Sequence, residues 1–186
     1  MNSRPALLEL LSRYTPPSAE QREVCARMIR FVESTPDCCE RSHLPGHMTG
    51  SAWIVNAAGD AVLLMHHKKL DRWMQPGGHA DGDFDLLRVA GKEAVEESGI
   101  VDLLPVDSRV FDLDIHTIPA RKEVPEHLHY DVRFLFRAAP GAEPVANHES
   151  NALAWVPLGR VEQFTSETSI LRMRDRAQMI DCRLNF

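Results

Sequence analysis

The chain contains 186 residues, of which 44% are apolar and 26% are charged, and its formal net charge is −6 at pH 7. This composition is typical of a folded globular protein and excludes a mostly disordered or fibrous chain. The acidic balance disfavours a binder of duplex nucleic acid, which usually presents a basic surface. The longest uninterrupted apolar runs, such as Ala61–Met65, are far shorter than the roughly 18 residues that span a bilayer, so no membrane partner is expected.

The N-terminal residues are predicted to form two helices. Four leucines within Leu7–Leu11 make an apolar patch on the first helix, and Ser18 opens the second with Gln21 at the spacing of a capping box. Residues 1–45 are therefore predicted to be a helical extension, and residues 46–186 are predicted to be the main domain.

The four cysteines match no zinc-ligand spacing. Cys38 and Cys39 are adjacent, whereas Cys25 and Cys182 lie apart from them. Free thiols are typical of a reducing compartment, and Glu9 interrupts the N-terminal leucines in a way that is not typical of a signal peptide. A cytoplasmic location is the resulting expectation.

The rest of the sequence predicts an α/β fold. Helix-type segments are expected at about 85–98 and from about 166–168 toward residue 180, with short β-type runs between them. Strands mixed with a few helices are typical of an α/β sandwich and not of a repeat array. The β-type runs are SAWIVN, AVLLMHH, RWMQPGG, VFDLDIHTI, HLHYDVRFLF and LAWVPL.

Three glutamates crowd one face of the helix expected over about 85–98. Glu93, Glu96 and Glu97 fall within about a third of the helix circumference, because successive residues are rotated by about 100°. Carboxylates at this spacing repel each other unless a cation neutralises them, and oxygen ligands of this kind suit Mg²⁺. A solvated acidic face is the alternative explanation. Gly77, in the loop before the helix, allows a backbone carbonyl to approach closely.

These residues resemble the signature of the Nudix (MutT-like) hydrolase family. That signature is a glycine, five residues, a glutamate, seven residues and then R-E-U-x-E-E-x-G-U, in which U is apolar. Gly78 begins the match, and Lys92 to Ile100 complete it at the correct total spacing. Two positions depart from it, because Phe84 stands at the first glutamate and Lys92 at the arginine. The resemblance covers about residues 46–158.

The resemblance implies a fold, a reaction and a set of ligands. The fold would be a Nudix-type α/β/α sandwich around a mixed sheet. The reaction would be metal-dependent hydrolysis of the pyrophosphate of a nucleoside diphosphate linked to another moiety. Mg²⁺ or Mn²⁺ would be held by Glu93, Glu96, Glu97 and the carbonyl of Gly77. Catalysis would rest on Glu93, Glu97 and Glu149, since Glu149 matches a further glutamate that several members place before a late tryptophan-bearing strand. The partner would be a small nucleotide-type substrate, and homodimers are common among such proteins, which makes a homodimer a candidate state.

The two departures leave the level of activity open. Lys92 cannot make the forked contact of an arginine, and with Phe84 at the glutamate position it is expected to lack its counter-charge. Asp83 and Asp85, which flank Phe84, are candidates to substitute in part. The alternative hypothesis is a catalytically weakened Nudix-fold module that binds nucleotides. A metal-dependent isomerase on the same fold is a third hypothesis.

Polar residues outside the signature are the candidates for substrate contacts. His127, His129 and Arg133 share one face of a predicted strand. This face is predicted to line the substrate cleft, where either histidine would be a catalytic proton donor, a phosphate ligand or a metal ligand. A structural, hydrogen-bonded face is the alternative, and His43 and His47 are predicted to be structural. Cationic, imidazole and aromatic side chains supply charge and a stacking surface for a nucleotide. The predicted substrate-binding residues are His66, Lys68, Lys69, Trp73, His79 and Arg133.

Overall fold

The computed structural model describes residues 2–121, 123–148 and 150–180. Within these ranges the helices are α1 (Arg4–Ser12), α2 (Ala19–Ser34), α3 (Leu86–Ser98) and α4 (Thr168–Met179), with a 3-10 helix at Leu158–Gln163. The strands are β1 (Gly46–Val55), β2 (Ala61–His67), β3 (Arg72–Met74), β4 (Gly77–His79), β5 (Leu103–Pro105), β6 (Asp112–Ile118), β7 (His127–Ala138) and β8 (Ser150–Pro157). The predicted helices and β-type runs are confirmed, and β5 is an addition to them.

The two N-terminal helices begin at side-chain caps. The Ser18 hydroxyl accepts the backbone N–H of Gln21 at 3.1 Å, which confirms the cap predicted for α2. The hydroxyl of Tyr14 donates to the side chain of Gln21 at 3.0 Å, and Leu7 and Leu11 are buried. These contacts join α1 and α2 into one helical pair.

The chain divides into two compact units. Unit 1 comprises Met1–Ser51, Gly78–Ala90 and Ser108–Phe134, and unit 2 comprises Ala52–Gly77, Gly91–Asp107 and Leu135–Phe186. Each unit buries its own apolar side chains. Those of unit 1 include Met28, Val32, Met48, Leu86, Leu113 and Phe134, and those of unit 2 include Ile54, Leu63, Leu64, Val156, Val161 and Met173. The boundary predicted after residue 45 stays a prediction.

In unit 1, β6 and β7 form an antiparallel pair whose register aligns their polar residues. The pairing runs from Asp112 opposite Arg133 to Ile118 opposite His127. Side chains alternate between the two faces of a strand, so β7 presents its predicted polar file on one face. On the other face, Tyr130 stacks on Phe31 of α2, with ring centroids 3.8 Å apart.

In unit 2, β2 has three antiparallel partners, and it meets β1 with Val62 opposite Val55. It pairs with β3 from Met65 opposite Met74, and with β8 along most of its length. The short β5 pairs with the end of β7. In sheet order the strands run β3-β2-β1-β7-β5, while β4 pairs with β1, β6 with β7 and β8 with β2.

Helix α3, which carries the three glutamates, has defined ends. The carboxylate of Asp85 accepts the N–H of Arg88 at 3.2 Å, and Asp83 accepts the N–H of Asp85 at 2.8 Å. Gly99 adopts φ +70°, a left-handed conformation that ends a helix and favours glycine. The stop predicted at Gly99 is therefore confirmed. Asp83 and Asp85 serve the start of the helix.

Close backbone contact in unit 1 holds the first turn of α3 against β1. A Cβ on Gly50 would lie 2.8 Å from the carbonyl oxygen of Leu86 and 3.2 Å from the backbone nitrogen of Ala90. Only a glycine permits this approach. The mixed sheet with flanking helices agrees with the predicted α/β class. No helix in the described ranges is long and apolar enough to cross a membrane.

Candidate functional site

The glutamates of α3 differ in burial, and the most buried of them is hydrogen-bonded to Gly77, the first residue of β4. Glu97 is buried, and its Oε2 accepts the backbone N–H of Gly77 at 2.8 Å. The side chain of Glu93 is 18% exposed and that of Glu96 is 55% exposed. The row therefore runs from the protein interior to solvent, and Gly77 of β4 is hydrogen-bonded at its inner end.

Lys92 compensates part of the negative charge on this face. Its Nζ lies 3.6 Å from Oε1 of Glu93 and 3.7 Å from Oε1 of Glu96. The expectation that Lys92 lacks a counter-charge is wrong, because these glutamates supply it. The lysine side chain is 63% exposed, so the pairing is weak and is screened by water.

The donor set of this face suits a hard divalent cation. Glu93, Glu96, Glu97 and the carbonyl of Gly77 offer only oxygen ligands, which Mg²⁺ and Mn²⁺ prefer. The predicted set thus lies within unit 2 on helix α3 and at Gly77, the first residue of β4, and the hydrogen bond between Glu97 and Gly77 joins the two segments. Glu149, the further predicted glutamate, lies outside the described residues.

Four predicted substrate-binding residues also lie in unit 2, around the β2–β3 turn. His66 stacks on Trp73 with ring centroids 5.2 Å apart, and its Nε2 lies 3.1 Å from the carboxylate of Asp71. Lys68 and Lys69 are exposed in the turn. The structure therefore joins His66 to Trp73 and leaves the two ammonium groups at the surface.

Unit 1 contains a separate group of four imidazoles, here called the histidine cluster: His47, His79, His127 and His129. The ring centroid of His47 lies 5.0 Å from that of His79, 5.0 Å from that of His127 and 4.9 Å from that of His129. One ring nitrogen from each of His47, His127 and His129 lies within 4.8 Å of the other two. Strands β1, β4 and β7 each supply part of the cluster.

Hydrogen bonds and burial define the chemical state of the cluster. Nδ1 of His127 donates to the carbonyl of Pro125 at 2.9 Å. Nε2 of His47 and Nε2 of His129 are buried and have no hydrogen-bond partner in the described structure. Burial lowers the pKa of His47, lowers that of His79 to about 4 and lowers that of His129 to about 2. These three imidazoles are therefore neutral at pH 7.

Arg133 lies inside a buried network of carboxylates. The arginine is 3% exposed, and its guanidinium lies 2.7 Å from Asp131, 3.3 Å from Asp112 and 3.2 Å from Asp114. Burial by itself would lower the pKa of Arg133, but the three carboxylates raise it above its ordinary value. This position does not fit the predicted contact with substrate, because the guanidinium is enclosed and occupied by the network.

Strand β1 completes the network with residues that the sequence analysis did not select. The hydroxyls of Thr49 and Ser51 both donate to Oδ1 of Asp131, at 2.9 and 2.7 Å. His47 lies two residues before Thr49, at the start of β1 and in the histidine cluster; the prediction that it is structural stays a prediction. The signal was the alternation of polar residues at 47, 49 and 51 within a buried strand.

The divergent position Phe84 lies near the N-terminal helix in unit 1. Its backbone N–H donates to the side chain of Asn2 at 2.6 Å. Phe84 also lines a cavity of about 200 Å³ together with Leu7 and Leu10 of α1. The signature glutamate is thus replaced by an aromatic residue that faces the helical extension.

The chain was compared with known families, curated proteins and solved structures. A family model described as NUDIX domain matches residues 47–175, and no curated protein matches the chain. The Ap4A hydrolase of C. elegans has a TM-score of 0.53 at 16% identity, over 70% of this chain and 94% of that chain. The MutT protein of Methanosarcina mazei Go1 has a TM-score of 0.54 at 18% identity, over 73% and 95% of the two chains. The dihydroneopterin triphosphate pyrophosphohydrolase of E. coli has a TM-score of 0.52 at 15% identity, over 72% and 93%. At these identities the structural likeness shows the fold.

Proposed function

Because the chain belongs to the Nudix family of pyrophosphohydrolases, we propose that it hydrolyses the pyrophosphate of a nucleoside diphosphate linked to another moiety. The reaction would use Mg²⁺ or Mn²⁺ held by Glu93, Glu96, Glu97 and the carbonyl of Gly77. The observation that carries this proposal is the hydrogen bond from the N–H of Gly77 to Glu97 at 2.8 Å. It joins the two segments that provide the ligands.

The hydrogen bond gives Glu97 a positioning role. Its Oε2 accepts the backbone N–H of Gly77 in β4. This hydrogen bond fixes the orientation of the carboxylate and holds the Gly77 peptide beside α3. A bound cation would neutralise the pyrophosphate and lower the pKa of a coordinated water. Glu93 and Glu96 extend the oxygen set toward solvent, where the substrate has access.

Lys92 balances this face when no cation is bound. Its ammonium group is shared between Glu93 and Glu96 at 3.6 and 3.7 Å. Since the lysine is a flexible and exposed point charge, it can swing away when a divalent cation enters. The replacement of arginine by lysine is therefore compatible with metal binding, and the unpaired charge that motivated the weakened-module alternative is removed.

The assignment of the general base rests on the sequence alone. Glu149 stays the proposed base, since its place before the tryptophan-bearing strand β8 matches the family pattern. For the substrate, Trp73 offers an aromatic surface, and Lys68 and Lys69 offer exposed positive charge for phosphate oxygens. Solved structures with this fold include enzymes named for Ap4A and for dihydroneopterin triphosphate, so both compounds belong in the substrate panel.

A panel assay with a charge-neutral variant tests the proposal. Purified chain would be incubated with Mg²⁺ or Mn²⁺ and a set of dinucleoside polyphosphates, nucleotide sugars and nucleoside triphosphates, with release of phosphate measured after phosphatase treatment. Glu97→Gln should lower kcat by about a hundredfold or more, because the amide still accepts the Gly77 N–H but loses its charge. Glu33→Gln, an exposed change on α2, is the matched control and should retain full activity.

Two outcomes would contradict the proposal. No turnover of any panel member by the wild-type chain, together with saturable nucleotide binding, would favour the weakened binding module. Equal activity of Glu97→Gln and Glu33→Gln would place the reaction away from α3. Glu149→Gln separates the base from the ligands, because loss of a general base slows turnover by about 10²–10⁴-fold and leaves metal affinity unchanged. If Glu149→Gln slows turnover less than threefold, His127 or His129 becomes the candidate base.

A further inference from the structure

We propose that the histidine cluster of unit 1 is a second metal site, which binds a divalent transition-metal ion of the zinc class through His47, His127 and His129. The site shares no residue with the carboxylate set of α3 and has a different ligand chemistry. In the described part of the chain, these three residues are the one group of three or more histidine, cysteine or acidic side chains whose ligand atoms converge within 4.8 Å.

The spacing of the ring nitrogens suits one ion. Zinc binds imidazole nitrogen at about 2.0–2.1 Å in tetrahedral geometry, which places neighbouring nitrogens about 3.3 Å apart. The present separations of up to 4.8 Å need small side-chain rotations to reach that value. Strands β1 and β7 carry the three residues, so their backbones are already fixed.

Two imidazole nitrogens of the cluster are buried without a hydrogen-bond partner among the described residues and can therefore act as metal ligands. Nε2 of His47 is buried without a hydrogen-bond partner in a side chain that is only 3% exposed, and Nε2 of His129 is likewise unpartnered. A buried polar atom without a partner destabilises a fold. Coordination to one ion would satisfy both atoms at once.

The opposite ring nitrogens have the partners that metal-bound histidines usually have. Nδ1 of His127 donates to the carbonyl of Pro125 at 2.9 Å, and Nδ1 of His47 lies 3.5 Å from the carbonyl of His43. Such carbonyls select the tautomer whose Nε2 carries the lone pair. The His127 and His47 rings are therefore presented with Nε2 available as the ligand.

The chemistry of the ligands defines the class of ion. Neutral imidazoles suit zinc, cobalt, nickel, copper and iron, whereas Mg²⁺ prefers oxygen donors and water. Three protein ligands leave the fourth tetrahedral position for water or an anion. His79 lies beside the three ligands, with its ring centroid 5.0 Å from that of His47 and 5.1 Å from that of His129.

The test uses the full chain, freed of any affinity tag and of metal, with Zn²⁺ alone and Co²⁺ alone as probes at pH 7.5. Wild type should bind one equivalent of Zn²⁺ tightly, and Co²⁺ should give the visible absorption of a tetrahedral nitrogen site. His127→Gln and His129→Gln should each weaken binding at least tenfold. His148→Gln, an exposed histidine of unit 2, and Glu96→Gln with Glu97→Gln should leave that equivalent in place.

A second measurement keeps the test independent of variant folding. Long-range ¹H–¹⁵N spectra of wild-type imidazoles should show Zn²⁺ shifting ring nitrogens of His47, His127 and His129 and not those of His148. The proposal is overturned if Zn²⁺ shifts none of the three, or if the tight equivalent survives in a folded His127→Gln/His129→Gln protein. It is also overturned if the equivalent disappears in the glutamate variant, since the ion would then occupy the carboxylate set.

Discussion

Replacement of Arg133 by methionine should destabilise the protein strongly. The guanidinium is 3% exposed and contacts Asp112, Asp114 and Asp131, of which Asp112 and Asp131 are also buried. Methionine fills most of the volume but removes the positive charge, so carboxylates are left in the interior without this counter-ion. Breaking a buried ion pair by removing one partner costs about 3–5 kcal/mol.

The expected loss is large relative to the stability of a domain. Net unfolding free energies are about 5–15 kcal/mol, and each kcal/mol shifts Tm by about 2–4 °C at this chain length. Arg133→Met should therefore lower Tm by about 6–20 °C. Arg133→Lys keeps the charge but cannot make forked contacts with several carboxylates. Its Tm should therefore lie between those of wild type and Arg133→Met, and it provides a variant that still folds if Arg133→Met does not.

Urea unfolding followed by far-UV circular dichroism measures the effect. Arg88→Met is the matched control, because Arg88 is exposed and pairs only at the surface with Asp83 at 2.7 Å, and its loss should be much smaller. A double change, Arg133→Met with Asp131→Asn, should cost less than the sum of the two single changes, because the side chains are coupled. A loss below about 1 kcal/mol for Arg133→Met, or one equal to that of Arg88→Met, would refute the assignment of a structural network.

Three further predictions concern packing, pH and thiols. Gly50→Ala should cost about 1–3 kcal/mol by overpacking against the backbone of α3, whereas Gly159→Ala, which meets no atom within 4 Å, should be near neutral; equal urea midpoints would contradict the close approach. The metal-free protein should lose stability as pH falls from about 6.5 toward 4, because His79 is protonated in the unfolded chain near its ordinary pKa but in the folded chain only near a pKa of about 4. His79→Gln should flatten this slope in urea titrations, and an unchanged slope would assign it to other groups. Cys25, Cys38 and Cys39 are buried, and the hydrogen bond that the Cys39 thiol donates to Cys38 and then burial raise the pKa of Cys39, so Cys182→Ser protein should react with an aromatic disulfide reagent only as fast as it unfolds; rapid labelling of the native protein would argue against this burial.

The sequence by itself determined the family, the secondary structure around the signature and the row of glutamates on α3. The spacing from Gly78 to Gly99 predicts a loop, a helix and a stop; the helix and the stop form there, whereas the predicted glycine loop is in part the short strand β4 (Gly77–His79). These features depend on residues within a few helical turns of each other, so local rules suffice. The Nudix resemblance is confirmed by the family model that matches residues 47–175. It could be predicted because the long signature with fixed spacing is recognised from the sequence without knowledge of the fold.

Local patterns also carried part of the information about β7. The alternation of His127, His129, Asp131 and Arg133 predicts one polar face, and the contacts among these residues confirm it. The pattern does not say whether that face meets substrate, solvent or other side chains. The assignment of Arg133 to substrate failed at this step, since its partners Asp112 and Asp114 lie on a strand that precedes it by about 20 residues.

Only the tertiary structure decided which distant residues share an environment. Strand register brings Asp112 opposite Arg133 and His116 opposite His129, and the fold adds His47 from β1 and His79 from β4 to the imidazoles of β7. Sequence periodicity gives the face of a side chain but not the partner strand or its register. The buried Arg133 network and the histidine cluster are products of long-range strand pairing, whereas the glutamate row is a product of helical spacing alone.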